Sequence, residues 1–138
     1  MESNIEINKI HQGDCFELLN KIDDTSVDLI VCDGPYGITA NGWDRVGSIQ
    51  EYNLNLIKLF SRMLKVGGSA YLFGKANCLD FIDYRPYLNL KSKIIWYQPS
   101  RLAQGRLNYT NNYEGLKTWS PKLAQKLPPP YALGCLHT

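Results

Sequence analysis

Alternating apolar and polar positions divide the chain into short strands and helices. In "NIEINKI", residues 4–10, Ile5, Ile7 and Ile10 give a weak strand pattern. "GDCFELLNKI" follows, with Cys15, Phe16, Leu18, Leu19 and Ile22 at helical spacing. Asp14 stands where a helix N-cap is needed, and Glu17 three positions later completes a capping-box pattern. The run Val27 to Cys32 is rich in β-branched residues and bounded by turn residues, which predicts a buried strand with Asp33 at its carboxyl end. After the glycine-rich loop "GITANGWDRVG", residues 48–65 place Ile49, Tyr52, Leu56, Ile57, Phe60, Met63 and Leu64 on one face of an amphipathic helix. Gly67 and Gly68 are expected to stop it.

"SAYLF", residues 69–73, predicts a strand ending at Gly74, and "ANCLDFIDY" a helix that Pro86 ends. "SKIIWY" and "YEGLKTW" predict two further strands, separated by the polar segment 98–112. Four prolines and no periodicity after about Ser120 predict an irregular tail over 120–138. No internal repeat is visible. Strand and helix alternating through the first two thirds predict an α/β sandwich with a largely parallel sheet.

With 138 residues, 44% of them hydrophobic and 20% charged, the chain has the size and composition of one globular domain. No segment approaches the run of about 18 apolar residues that a membrane helix needs, and "MESNIEINKI" lacks the apolar block of a signal peptide. The expected location is therefore the cytoplasm. Cys15, Cys32, Cys78 and Cys135 form no CxxC pair, which points to reduced thiols and away from a zinc or disulfide framework. His11 and His137 have no partner at catalytic or metal-ligand spacing, and no GxGxxG or GxxxxGK phosphate loop is present.

Charge changes the picture more by its distribution than by its sum of +2. Residues 1–84 hold 7 basic and 12 acidic groups, whereas 85–138 hold 8 basic groups and only Glu114. The second half is either an ordinary solvated surface or a phosphate-facing one, its cations interleaved with Trp96, Tyr97, Tyr109, Tyr113 and Trp119.

Chemistry concentrates where the Val27–Cys32 run breaks into "DGPYG". Together with "GDC", "SVDLIVC", "WD", "FSRMLKVGGSAYLF", "IIWYQP" and "NNYEGL", this stretch resembles the amino-terminal part of the DNA amino-methyltransferases over roughly residues 8–119. That family transfers a methyl group from S-adenosylmethionine to the exocyclic nitrogen of adenine or cytosine in DNA. The resemblance implies a partial Rossmann-like methyltransferase fold of the subgroup in which the catalytic tetrapeptide precedes the methyl-donor motifs. It also implies that the target base leaves the double-stranded DNA stack before reaction. The side chain of Asp33 and the backbone carbonyl of Gly34 would accept from the target amine, Pro35 would stiffen the tetrapeptide and Tyr36 would stack on the extruded base.

The commoner tetrapeptide is Asp-Pro-Pro-Tyr; Gly34 departs from it at a position whose implied role is a main-chain carbonyl. Asp14 is either a contact to the adenosine of the cofactor or simply the helix cap. Trp43 and Asp44 match a "WD" that orders the loop over the base, with packing as the alternative for Trp43. Asn112, Tyr113 and Glu114 match a motif near the base pocket, with core packing as the alternative for Tyr113; Arg101 and Arg106 are the candidate phosphate contacts.

The FxGxG segment that the family uses for the methionine end of its cofactor does not occur in this chain. The resemblance therefore implies an incomplete sheet with exposed edges. Its two absent strands would lie between the one begun by "NIEINKI" and the one ending at Asp33. Residues 1–119 are expected to be the catalytic half of a methyltransferase domain, inactive alone. Both a truncated product and a chain completed by a second polypeptide fit. The expected reaction is N6-adenine methylation of the restriction-modification type. N4-cytosine methylation and a catalytically inert DNA-binding remnant are the alternatives.

Overall fold

The computed structural model describes residues 5–37, 41–97 and 113–121. A short helix α1 (Cys15–Leu19) leads to strand β1 (Val27–Asp33) and then to a 3₁₀ turn (Gly42–Asp44). Helix α2 (Ile49–Met63) follows, then β2 (Leu64–Gly74), the short helix α3 (Ala76–Asp80), β3 (Leu88–Tyr97) and β4 (Tyr113–Pro121). Among the described residues the strands form one sheet in the order β1-β2-β4-β3. β1 pairs with β2 in parallel, and β4 runs antiparallel to both β2 and β3. β1, β2 and β3 therefore share one direction and β4 opposes it, which corrects the largely parallel expectation in its pairings.

The helix caps follow local chemistry. The Asp14 carboxylate accepts from the N–H groups of Phe16 and Glu17 at 2.9 and 3.1 Å, satisfying two of the donors a helix start leaves open. Ser48 does the same for α2 through the Glu51 N–H. At the other end of α2, the Arg62 guanidinium donates to the carbonyls of Leu19 and Ile22 and to Asp24, tying the end of α1 to the last turn of α2.

One layer of core forms between α2, α3 and the sheet. Leu56, Ile57 and Phe60 of α2 bury against Ala70, Leu72 and Trp119, joined by Leu79, Ile82 and Leu88. Cys15, Phe16 and Leu19 of α1 pack at its border.

Four expectations are corrected. Residues 5–10 of "NIEINKI" form bends and turns rather than a strand; Ile7 and Ile10 are exposed and Asn8 adopts a positive φ of 59°. No neighbouring strand satisfies that alternation among the described residues, so β1 is an end strand and no gap opens beside it. α2 stops at Met63 rather than at the glycines, because Leu64 turns to extended backbone and pairs with Val27. Gly67 and Gly68 lie instead in the irregular stretch of β2 opposite β1, where a Cβ on Gly68 would stand 3.0 Å from the Asp28 carbonyl. β1 is not buried on both sides, since Leu29 and Val31 are exposed. The boundary at 119 also moves, because β4 continues through Ser120 to Pro121; residues 122–138 lie outside the described residues. No helix of the described residues is long and apolar enough to cross a membrane.

Candidate functional site

Parallel β1 and β2 end at the same edge of the sheet, with Asp33 opposite Phe73. β3 ends there too, and β4 begins there, Tyr97 being paired with Tyr113. The topology thus gathers "DGPY", the end of "IIWY" and the start of "YEGL" along one edge, although they are up to 80 positions apart in sequence. In open α/β sheets the carboxyl edge of the strands is where ligands bind.

Asp33 is exposed and Tyr36 half-buried, and the Tyr36 hydroxyl donates to Asp33 Oδ1 at 2.9 Å. The loop that carries them is clasped from behind. Asp44 Oδ1 accepts from the backbone N–H of Tyr36 at 2.7 Å and of Gly37 at 2.8 Å, and Asp44 is only 2% exposed. Hydrogen bonds to a charged acceptor are shorter and roughly twice as strong as neutral ones, so two on adjacent amides fix the exit of the tetrapeptide. Gly37 has φ +67°, a left-handed conformation that lets the chain reverse there and present both amides to one oxygen. The 3₁₀ turn supplies Asp44 by way of its own Asp44 N–H to Asn41 carbonyl bond.

Beneath the tetrapeptide, a Cβ on Gly34 would lie 3.8 Å from Cys32 Sγ and 3.9 Å from both Leu56 Cδ1 and Tyr52 Cε1, ordinary contact distances. Packing therefore does not require glycine at this position. Tyr52 also reaches α1. Its hydroxyl shares a hydrogen bond with Cys15 Sγ at 3.1 Å, and its ring meets Phe16 edge-on. Burial pushes the Tyr52 phenol up, with the Cys15 hydrogen bond adding to it. Burial likewise pushes the Cys32 thiol up to about 11, with Cys15 and Asp33 contributing. Cys32 is thus a neutral packing group at neutral pH, since the thiolate is the reactive form.

The structure brings Asp33, Gly34, Pro35, Tyr36 and Asp44 together as one loop. Asp44 faces the backbone of that loop, so its contacts order the tetrapeptide and do not form an outer surface. Trp43 lies in the 3₁₀ turn and Tyr113 opens β4 at the same sheet edge. Arg101, Arg106 and Asn112 lie outside the described residues. Asp14 caps α1, its Oδ1 accepting from the Phe16 and Glu17 amides. Tyr52 is the contributor that the sequence did not single out. It was legible only as one member of the apolar face of α2.

No family model matches the chain. It is 34% identical over 117 residues to the DNA adenine methyltransferase YhdJ of Escherichia coli (strain K12), a match that spans 79% of this chain and 40% of that protein. It is 34% identical over 84 residues to the type II methyltransferase M1.MboII of Moraxella bovis, spanning 58% of this chain and 32% of that one. These matches support a fragment of a DNA amino-methyltransferase. The fold agrees with that reading. The cytosine-N4-specific PvuII DNA methyltransferase superposes with a TM-score of 0.59 at 18% identity, covering 84% of this chain and 53% of that one. The M1.HpyAVI–SAM complex gives a TM-score of 0.57 at 17% identity, covering 83% and 54%. The chain thus spans 40% and 32% of these two sequence relatives and 53% and 54% of these two solved structures.

Proposed function

We propose that the chain carries the amine-binding part of a DNA methyltransferase that acts on the exocyclic N6 of adenine, with S-adenosylmethionine as methyl donor. The observation that carries the reading is the pairing of an exposed Asp33 with Tyr36 on a loop locked by the buried Asp44, at the carboxyl end of β1.

The chemistry suits this arrangement. An exocyclic amine is a weak nucleophile because its lone pair is delocalised into the ring. Acceptors on its N–H bonds favour the tetrahedral nitrogen that attacks a methyl carbon. Asp33 and the Gly34 carbonyl serve as those acceptors, and the Tyr36 ring holds the extruded base by stacking, worth about 1–3 kcal/mol. Base entry requires the Tyr36 hydroxyl to give up Asp33 Oδ1, so the bond between them is a resting contact.

The described residues do not make up a site for the methyl donor. Asp14 is the one acidic candidate, its Oδ1 is committed to the α1 cap, and FxGxG is not in the chain. The isolated chain is accordingly inactive, with the donor site supplied by further polypeptide. Adenine is favoured over N4 of cytosine because Asp stands at position 33 and YhdJ, at 34% identity, is an adenine methyltransferase.

The test is methyl transfer to duplex DNA, followed by nucleoside analysis, for the chain alone and for the chain supplemented with the unmatched part of YhdJ. The expected result is N6-methyladenine only in the supplemented sample, lost in Asp33→Ala. N4-methylcytosine as the product would overturn the choice of base. Tight stoichiometric donor binding by the chain alone, seen by calorimetry, would overturn the division of labour.

A further inference from the structure

The tetrapeptide is held at both ends and left open in its middle. Asp33 closes β1 and pairs with Phe73, and Asp44 holds the amides of Tyr36 and Gly37. Between those anchors stand only Gly34 and Pro35. The proline ring fixes its own φ and, by crowding the residue before it, favours extended backbone at Gly34. Gly34 has no side chain with which to set the plane of the peptide that follows it. That plane carries the Gly34 carbonyl, one of the two acceptors proposed for the target amine.

What can set the plane lies beneath it. The Cβ position of Gly34 faces Cys32 Sγ at 3.8 Å, and Leu56 Cδ1 and Tyr52 Cε1 at 3.9 Å. Cys32 belongs to β1 itself, and Leu56 is sunk in the core at 2% exposure. Tyr52 is held by more than packing. Its ring meets Phe16 edge-on, with centroids 5.0 Å apart and planes at 79°, and its hydroxyl shares a hydrogen bond of 3.1 Å with Cys15 Sγ. Phenylalanine would keep the ring contact without turning a hydroxyl from water toward a sulfur, which is a weak donor and a weak acceptor. The hydroxyl thus adds little to packing, and what it does supply is a fixed direction for the ring. Cys15 cannot follow a moving ring either, because Arg62 ties the Leu19 and Ile22 carbonyls, at the far end of α1, to the last turn of α2.

We infer that Tyr52 is a positioning residue for methyl transfer: fixed by Cys15 and Phe16, its ring supports Gly34 from below and holds the Gly34 carbonyl where it accepts from the target amine. The inference rests on the function proposed above. Tyr52 acts through Gly34 alone. Rigidity that a second proline would supply within the tetrapeptide comes here from outside it.

The test measures the chain alone by NMR relaxation and the completed enzyme, the chain supplemented with the unmatched part of YhdJ, by turnover. Tyr52→Phe removes the hydroxyl and keeps the ring, Cys15→Ala removes its partner, and circular dichroism verifies the fold of each variant. In the chain alone, the order parameter of the Gly34 amide is expected to fall from the rigid-backbone value of about 0.85 to about 0.6 or lower in either variant, while the Tyr36 and Gly37 amides stay rigid. In the completed enzyme, kcat is expected to fall about tenfold with KM for DNA unchanged. The double variant is expected to lose no more than either single one, because both act on one hydrogen bond. A structural role alone would lower kcat only in proportion to the folded fraction, with a matching fall in the urea midpoint and no selective loosening of Gly34, and that result overturns the inference. So does a Gly34 amide that is already mobile in the unaltered chain or unchanged in the variants. An unchanged kcat in Tyr52→Phe overturns it as well, as do additive losses in the double variant. Loosening of Gly34 in the variants, together with a supplemented chain that transfers no methyl group, leaves the support of Gly34 standing and overturns the functional reading.

Discussion

The two faces of the sheet are made from the same strands and nearly the same chemistry, and they differ in what covers them. On one, Leu72 and Trp119 are fully buried beneath α2 and α3; on the other, Val31 is 64% exposed one position away from Cys32. The covered face must therefore supply most of the stability. The largest effect is expected from Phe60→Ala, which empties the centre of the α2 interface, where Phe60 is 1% exposed. A loss of about 3–5 kcal/mol is the usual cost of such a cavity, read as a lower urea midpoint at unchanged slope. A loss below about 1 kcal/mol would mean that the α2 layer is not the core, and the contrast between the faces would fail.

The same contrast of covered and uncovered recurs in two carboxylates of one loop. Asp44 is buried and serves the backbone; Asp33 is exposed and accepts from the phenol of half-buried Tyr36. Asp44→Ala leaves the Tyr36 and Gly37 amides without their acceptor and should cost about 1–3 kcal/mol. The accompanying sign is faster exchange at those two amides. Asp33→Ala should change stability by no more than about 0.5 kcal/mol, as exposed substitutions usually do, while abolishing methyl transfer by the completed enzyme. Equal destabilisation by the two variants would remove the division between an ordering and a reacting carboxylate.

What could be read from the sequence was what is decided locally. Asp14 caps α1 and Ser48 caps α2 because a cap depends on two or three neighbouring amides. Likewise, β1 ends on Asp33 because glycine and proline follow it. What could not be read depends on partners distant in the chain. Ile5, Ile7 and Ile10 alternate like a strand, yet residues 5–10 form bends and turns. Gly67 and Gly68 looked like a helix stop, yet Leu64 leaves the helix first because Val27, far back in the chain, offers a pairing partner. β4 inserts antiparallel between β2 and β3, an order that no local pattern encodes. At the site, the tetrapeptide was visible from composition and resemblance. The depth of Asp44 and the reach of Tyr52 to Cys15 were not, because both depend on how the loop and α1 fold over α2.

The covered face also contains a charge, and acid should reveal it. Lys117 is buried beside Leu72, donating to the Leu79 carbonyl at 2.8 Å and pairing with Asp80, which Lys93 also engages. The hydrogen bond from Lys93, then that from Lys117, holds the Asp80 carboxyl below its ordinary 3.8. A carboxyl lowered in the folded state stabilises fully above its ordinary value, and that contribution disappears as the pH falls through the lowered one. Asp80 is 40% exposed, so screening keeps its share near the top of the range for exposed pairs, about 1 kcal/mol. The difference in stability between the unaltered chain and Asp80→Asn should therefore be constant from neutral pH down to about 4 and shrink below it. A difference that grew on acidification would reverse the assignment.

The smallest effect is the most discriminating for the uncovered face. Val31→Thr keeps the branched shape and strand preference and exchanges a methyl group for a hydroxyl. On a covered face that hydroxyl would lose water without gaining a partner, at a cost of about 1–3 kcal/mol. At 64% exposure it stays hydrated, and the free chain should lose no more than about 0.5 kcal/mol. Urea titration of the free chain reads the difference directly. A penalty above about 1 kcal/mol in the free chain would show Val31 already covered, and the two faces would no longer differ.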